Sequence, residues 1–163
     1  MLVIVDQPEK VDFSSLFSVY SETISASEMK KGTIRGQTEF ITSWQDFLST
    51  QNAYLGIWQV CDTCASMVRF EPYRDGYIFS WLETMPQMRN NGAAKALIDA
   101  MTHWAVAQNY CPIYCHIDKR NFASIKVFTS CGFSITGKPA VFLDGSVYSS
   151  HHTLRYDKVT TTD

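Results

Sequence analysis

The chain has 163 residues, 45% of them hydrophobic and 18% charged, which is enough to bury one core and too apolar for a disordered polymer. A formal net charge of -2 disfavours a protein that works by neutralising nucleic-acid phosphates. No apolar run is long enough to cross a bilayer, so neither nucleic acid nor membrane is expected as a partner.

The start, Met1 to Asp6, has no basic n-region and turns polar at once, so Leu2 to Val5 reads as a first strand and not as a signal peptide. Asp12 or Ser14 is placed to cap a helix carrying Leu16, Phe17, Tyr20 and Ile24 on one side. Ser25 to Phe40, with Gly32 and Gly36 among polar residues, reads as a loop. Thr42 or Ser43 then caps a short helix with Trp44, Phe47 and Leu48 at helical spacing.

Three strand-like runs follow, Tyr54 to Val60, Ala65 to Phe70 and Tyr77 to Met85, separated by turn residues, and they predict an antiparallel meander. Ala94, Leu97, Ile98, Met101 and Ala105 form one helical stripe. Pro112 breaks the chain before a strand over Ile113 to Ile117. Phe122 to Cys131 reads as a helix with Gly132 as its terminal glycine. Ala140 to Leu143 and Thr153 to Tyr156 read as further strands, with an Asp144-Gly145 turn after the first. Nothing marks a repeat or a linker, so one domain over 1–163 is expected.

Five cysteines, an odd number without a secretory signal, read as free thiols in a reducing cytoplasm. Cys61 and Cys64 straddle a meander turn, and Cys111 and Cys115 flank a strand start. A zinc site needs both pairs in one place, so no metal is expected, and a thiol or zinc protein is the weakest rival reading. Trp44, Trp58, Trp81 and Trp104 sit on apolar patterns and are expected in the core. His151 and His152 are expected at the surface.

The segment Pro86-Gln87-Met88-Arg89-Asn90-Asn91-Gly92-Ala93-Ala94 joins a strand to a helix. Such a turn presents backbone N–H groups at a helix N-terminus, with the positive end of the dipole behind them. Gly92, Ala93 and Ala94 let an anion approach the main chain, and Arg89 adds a cation, which suits a diphosphate. An ordinary asparagine-capped helix start is equally compatible with this segment alone.

Further on, Ile113 to Phe133 runs strand, Asn121-Phe122-Ala123-Ser124, the aromatic Phe128, and Gly132-Phe133. Together the two stretches resemble the GNAT superfamily of acetyl-CoA-dependent N-acetyltransferases. Arg89, Gly92 and Ala94 match its Arg/Gln-x-x-Gly-x-Gly/Ala loop, and the likeness spans roughly Tyr77 to Phe133. It implies an α/β fold with a splayed, mostly antiparallel mixed sheet flanked by helices. It also implies an acetyl group moved from acetyl-CoA to a primary amine of a small molecule or peptide by direct attack.

The resemblance further implies that the pyrophosphate sits on Asn90, Asn91, Gly92, Ala93 and Ala94. Leu82, Glu83 and Thr84 would pair with the pantetheine, Asn121 would hydrogen-bond near the thiol end, and Ser124 and Phe128 would line the cofactor. Where the family often has a tyrosine acid, this chain has Phe128, which cannot donate a proton. That departure supports the rival reading of a non-catalytic acyl-CoA-binding module. For the base, strand alternation puts Tyr114, His116 and Asp118 on one face, opposite Cys115 and Ile117. His116 is the leading candidate, since a histidine suits base work near neutrality; a structural histidine is nearly as compatible. Glu83 is second, and Ser80 is placed to position a water. A homodimer is compatible with the sequence, and the identity of the acceptor is not legible in it.

Overall fold

Strand pairing begins at the N-terminus in the computed structural model, which describes residues 1–28 and 33–158. β1 (Leu2–Val5) lies antiparallel to β2 (Tyr54–Val60), β2 to β3 (Thr63–Tyr73), and β3 to β4 (Gly76–Thr84). The expected meander is present, with β3 longer at both ends than its apolar run suggests. Cys61 (φ 47) and Asp62 (φ 58) both take left-handed backbone in the β2–β3 turn. That geometry matches the right-handed twist of a hairpin, so the cysteine spacing here belongs to a turn.

α3 (Ala93–Ala107) then packs across the sheet, and β5 (Ile113–Asp118) returns parallel to β4. α4 (Phe122–Ser130) ends as the sequence suggests: Gly132 (φ 90) lets Phe133 N–H reach Phe128 O at 3.2 Å and Gly132 N–H reach Thr129 O at 3.2 Å. Beyond it come β6 (Ser134–Ile135), a hairpin of β7 (Ala140–Val141) and β8 (Val147–Tyr148), and β9 (His151–Tyr156). Among the described residues seven strands form one sheet, ordered β1-β2-β3-β4-β5-β9-β6, in which only the β4–β5 pair is parallel. The splayed, mostly antiparallel mixed sheet is borne out. β6 and β8, two residues each, went unread, and the strand expected over Ala140 to Leu143 is confined to Ala140–Val141.

One face of the sheet packs Val68, Phe70, Phe79, Ile113, Cys115 and Ile117 against Leu97, Ile98 and Met101 of α3 and Phe128 of α4. The other face holds Leu55 and Met67 under α1 (Phe13–Glu28) and α2 (Thr33–Leu48). Asp12 caps α1, accepting from Ser14 N–H at 3.0 Å and Ser15 Oγ at 2.6 Å.

The loop expected over Ser25 to Phe40 is overturned. α1 runs to Glu28 and α2 starts at Thr33; Gly32, with the rest of 29–32, and the side chains of 23–37, including Ile24, lie outside the described residues. Phe40, Trp44, Phe47 and Leu48 recur at i, i+4, i+7 and i+8, and the Phe40 ring lies 5.7 Å from Phe17 and 5.6 Å from Tyr20. This stripe pulls Thr42 and Ser43 into the helix interior, so neither is its cap. Among the described residues no helix is long and apolar enough to cross a membrane.

Candidate active site

β4 is bulged. Met67 pairs with Glu83 and Arg69 with Ser80, so Trp81 and Leu82 together face Val68. Trp81 takes φ 55, and its carbonyl accepts a hydrogen bond from Tyr20 Oη of α1. The tryptophan expected in the core is 51% exposed as a result. Pairing between β4 and β5 covers only Tyr77–Ile113 to Phe79–Cys115. Past Phe79 the two strands diverge, and β4 from Ser80 onward has no register with β5.

Three hollows adjoin along this divergence. The first, about 780 Å³, lies at the start of α3 and is walled by Leu82, Glu83, Thr84, Arg89, Asn90, Gly92, Ala93, Ala94, Asn121 and Ser124. The sequence thus names residues that the fold brings together; Asn91 is not among the walls. The second, about 260 Å³, is the gap itself, between Phe79 to Leu82 on one side and Cys115 to Asp118 on the other, closed by Asn121, Ser124 and Phe128. The third, about 510 Å³, opens on the opposite sheet face among Arg69, Glu71, Ile78, Ser80, Trp81, His116, Phe142 and Asp144. Phe79, Ser80, Trp81 and His116 belong to both the second and the third.

At the α3 end, Gly92 (φ 78) is the N-cap residue and no side chain caps the helix. The first intrahelical bond runs from Ala96 N–H to Gly92 O at 2.9 Å. The amides of Ala93, Ala94 and Lys95 therefore lack acceptors within the helix and face an anion-sized hollow. The cation expected from Arg89 is committed elsewhere: its guanidinium meets Glu22 at 2.9 Å, Glu83 at 3.3 Å and Thr84 O at 3.1 Å. Lys95 and Lys126 line the hollow instead. The sequence reading missed both, although each lies within the first turns of its helix on the side of the glycine turn or of Asn121.

Asn121 is the N-cap of α4, its Oδ1 accepting from Ser124 N–H at 3.1 Å. Asn121→Ala is expected to lower stability by about 1 kcal/mol, which a thermal melt of the ligand-free protein reads, beyond any effect on ligand. Phe128 packs its ring 6.0 Å from Phe79 and 5.2 Å from Phe133 at the floor of the gap.

His116 does face the side opposite Cys115 and Ile117, but its ring is held by the protein. Nε2 lies 3.1 Å from Val141 O, which only accepts, so Nε2 carries the proton. Nε2 is also 3.2 Å from Tyr73 Oη, and Nδ1 is 3.2 Å from Thr153 Oγ1. Burial lowers its pKa, more than the Val141 hydrogen bond raises it. Glu83, the second candidate, sits on the α3 side and ion-pairs with Arg89 at 3.3 Å. Glu71, which the sequence reading did not single out, lines the third hollow and accepts from Ser80 Oγ at 3.4 Å. Burial raises its pKa, against the opposing effects of Arg69 and Ser80. The alternation Arg69, Glu71, Tyr73 along β3 is the signal that would have found it. His151 is half-buried, its ring meeting those of Phe142 and Tyr148 edge-on at centroid distances of 5.5 Å and 5.6 Å. Among the described residues no group of three His, Cys, Asp or Glu is arranged to hold a metal ion.

The fold is shared with solved acetyltransferases. An N-acetyltransferase from Staphylococcus aureus Mu50 superposes with a TM-score of 0.66 at 18% identity, over 96% of this chain and 98% of that one. A ribosomal-protein-alanine N-acetyltransferase from Brucella melitensis gives 0.70 at 13% identity, over 96% and 99%. A putative acetyltransferase from Salmonella typhimurium, solved with its cofactor acetyl-CoA, gives 0.71 at 13%, over 100% and 96%. No curated protein sequence matches this chain. The model of the acetyltransferase (GNAT) family, however, matches residues 17–133, so the chain belongs to that family.

Proposed function

We propose that the protein moves an acetyl group from acetyl-CoA to an amine by direct attack inside the gap between β4 and β5. The observation that carries this reading is a row of three hollows sharing lining residues along the β4–β5 divergence, with uncapped helix amides at one end and a charged pocket at the other. The residues fit the cofactor. The amides of Ala93, Ala94 and Lys95, with Lys95 and Lys126 nearby, suit a diphosphate. The edge of β4 past Phe79, not paired to β5, suits an extended pantetheine that adds to it as a strand would. Asn121 and Ser124 border both the first hollow and the gap.

Bound acetyl-CoA supplies an acyl carbon activated as a thioester. The acceptor nitrogen forms the new C–N bond, the C–S bond breaks, and the sulfur leaves as CoA thiolate. The proton lost by the amine goes to Glu71, with Ser80 between the carboxylate and the gap. Glu71 suits this step because its raised pKa makes it a stronger base than an exposed glutamate. His116 serves instead to hold β7 and β9 to β5 through Val141 and Thr153, its Nδ1 facing a hydroxyl. Glu83 orients Arg89 on the cofactor side. Phe128 offers no proton, and the thiolate departs without a protein acid, as its modest basicity allows.

The test uses CoA as ligand. A compound at a hundred times its dissociation constant stabilises by about 2.7 kcal/mol, which in a chain of this size is about 5–10 °C in melting temperature. The wild type is expected to show such a shift. Gly92→Val is expected to show almost none, because a β-branched side chain at φ 78 is strained and stands where the diphosphate approaches. Equal shifts in both proteins would remove the diphosphate assignment. Thiol release across a panel of amines then separates an enzyme from a module that only binds acyl-CoA.

A further inference from the structure

Arg69 is 8% exposed, and its guanidinium is clamped between aromatic rings, 4.0 Å from the centroid of Trp44, 4.7 Å from Phe47 and 5.1 Å from Trp81. Its hydrogen bonds among the described residues all come from Nη2, to Ser43 O at 3.5 Å and Ser43 Oγ at 3.3 Å. Among the described residues Nε is buried with no partner. Among the described residues no carboxylate lies within ion-pair distance of this guanidinium. A buried charge in this position is costly to hold where the attraction of Glu71 stops short of an ion pair, and an arginine fork is shaped for a carboxylate. Arg69 nevertheless lines the third hollow, the one that opens on the proposed acceptor side.

On the same hollow stands Glu71, also without an ion pair among the described residues. The pocket therefore shows an acceptor one guanidinium and two carboxylates, Glu71 and an Asp144 already bonded to Ser146, with Ile78, Phe79, Trp81, Phe142 and Leu143 supplying apolar wall between and around them. Its volume of about 510 Å³ suits a single small molecule. A simple amine or polyamine would leave the guanidinium unanswered, and a purely anionic compound would leave the glutamate unanswered.

Resting on the acetyl-transfer reading above, we propose that the acceptor is a zwitterion of the amino-acid class with an apolar side chain, its carboxylate on Arg69 and its amine turned toward Glu71 and Ser80. Trp44, Phe47 and Ser43 are then positioning residues for the guanidinium. The electrostatics work in one direction. The carboxylate neutralises Arg69 and orients the substrate, the ammonium gives one proton to solvent as the neutral amine forms, and the proton released as the C–N bond forms goes to Glu71 at the end of the pocket that adjoins the gap.

The experiment measures thiol release from acetyl-CoA with L-amino acids, the matching amino-acid amides and the matching decarboxylated amines. An apolar amino acid is expected to exceed its own amide and amine in kcat/KM by at least about 30-fold, the loss typical of leaving a buried charge unpaired. In Arg69→Met that ratio is expected to fall to about unity, chiefly through KM for the acid, while the amides change little. Arg69→Lys should lie between, because it keeps the charge and loses the fork. Wild-type protein that uses amides or plain amines as well as the acids overturns the proposal, and so does a ratio that survives in Arg69→Met. Should Arg69→Met not fold, the wild-type ratio and Arg69→Lys decide. Should no amine release thiol, the acetyl-transfer reading has failed. Melting shifts with the same compounds in the presence of CoA then judge the pocket alone: shifts confined to the acids and reduced in Arg69→Lys uphold the zwitterion site, and any other pattern removes it.

Discussion

Glu71→Gln is expected to lower kcat by about 10²- to 10⁴-fold at saturating acetyl-CoA and acceptor, the usual worth of a positioned base. The amide keeps the shape of the side chain but cannot take a proton. In wild type the active form of Glu71 is the carboxylate, so the rate must fall toward acid as it is protonated. Because burial raises its pKa, this limb lies above the range of an exposed glutamate, about 4.3. In Glu71→Gln the limb should vanish, while in His116→Asn it should persist with the same midpoint. A limb that survives in Glu71→Gln and disappears in His116→Asn would return the base to His116.

The stability of Glu71→Gln should move the other way from its activity. A carboxyl group whose pKa is raised by folding favours the fold fully below its unfolded pKa, and loses that contribution as pH rises through the folded value. At neutral pH the native protein therefore carries a buried carboxylate at a cost. The glutamine variant should melt at the same temperature as wild type or higher, so a lost rate cannot be ascribed to unfolding.

The largest effect on stability is expected at Gly76, at the head of β4. A Cβ placed there would stand 1.9 Å from Pro112 O and 2.9 Å from its carbonyl carbon. These are backbone atoms of the segment entering β5, and the same carbonyl accepts Tyr77 N–H at 3.0 Å. Relief would require the two strands to separate at the start of their only pairing, Tyr77 with Ile113. Gly76→Ala is expected to cost at least about 3 kcal/mol, comparable with severe core overpacking. Against a total of about 5–15 kcal/mol for a domain, this leaves a marginal fold, which denaturant titration measures directly. A melting curve like that of wild type would mean that β4 and β5 are not held together here.

Much of the frame can be read from residue order because it depends on local rules. The β2–β4 meander follows from aromatic and β-branched runs with turns between them, and the α3 stripe from its apolar period. The end of α4 follows from one glycine that accepts φ 90. The hollow at the head of α3 was legible for a related reason: Leu82 to Thr84 and Asn90 to Ala94 are sequence neighbours of a strand end and a helix start, and such a junction exposes amides wherever it occurs. The second motif, Asn121 to Phe133, reaches the same hollow because the parallel return of β5 lays α4 beside α3.

What the sequence could not determine is set by contacts between distant segments. The polar stretch before Phe40 resembles a loop by composition, and only packing of Phe40 and Trp44 onto Tyr20 makes helix there the better state. Trp81 resembles a core residue until the bulge against Val68 turns it outward. Arg89 resembles a phosphate ligand until α1 brings Glu22 to it. His116 resembles a base until β7 and β9 place Val141 and Thr153 on its two nitrogens. Glu71 and Arg69 read as ordinary strand charges until α2, β4 and the β7–β8 connection close around them. Local order fixes backbone geometry and helix termini through short-range sterics. Protonation state and charge pairing depend on which groups long-range folding brings within a few ångströms and shields from water.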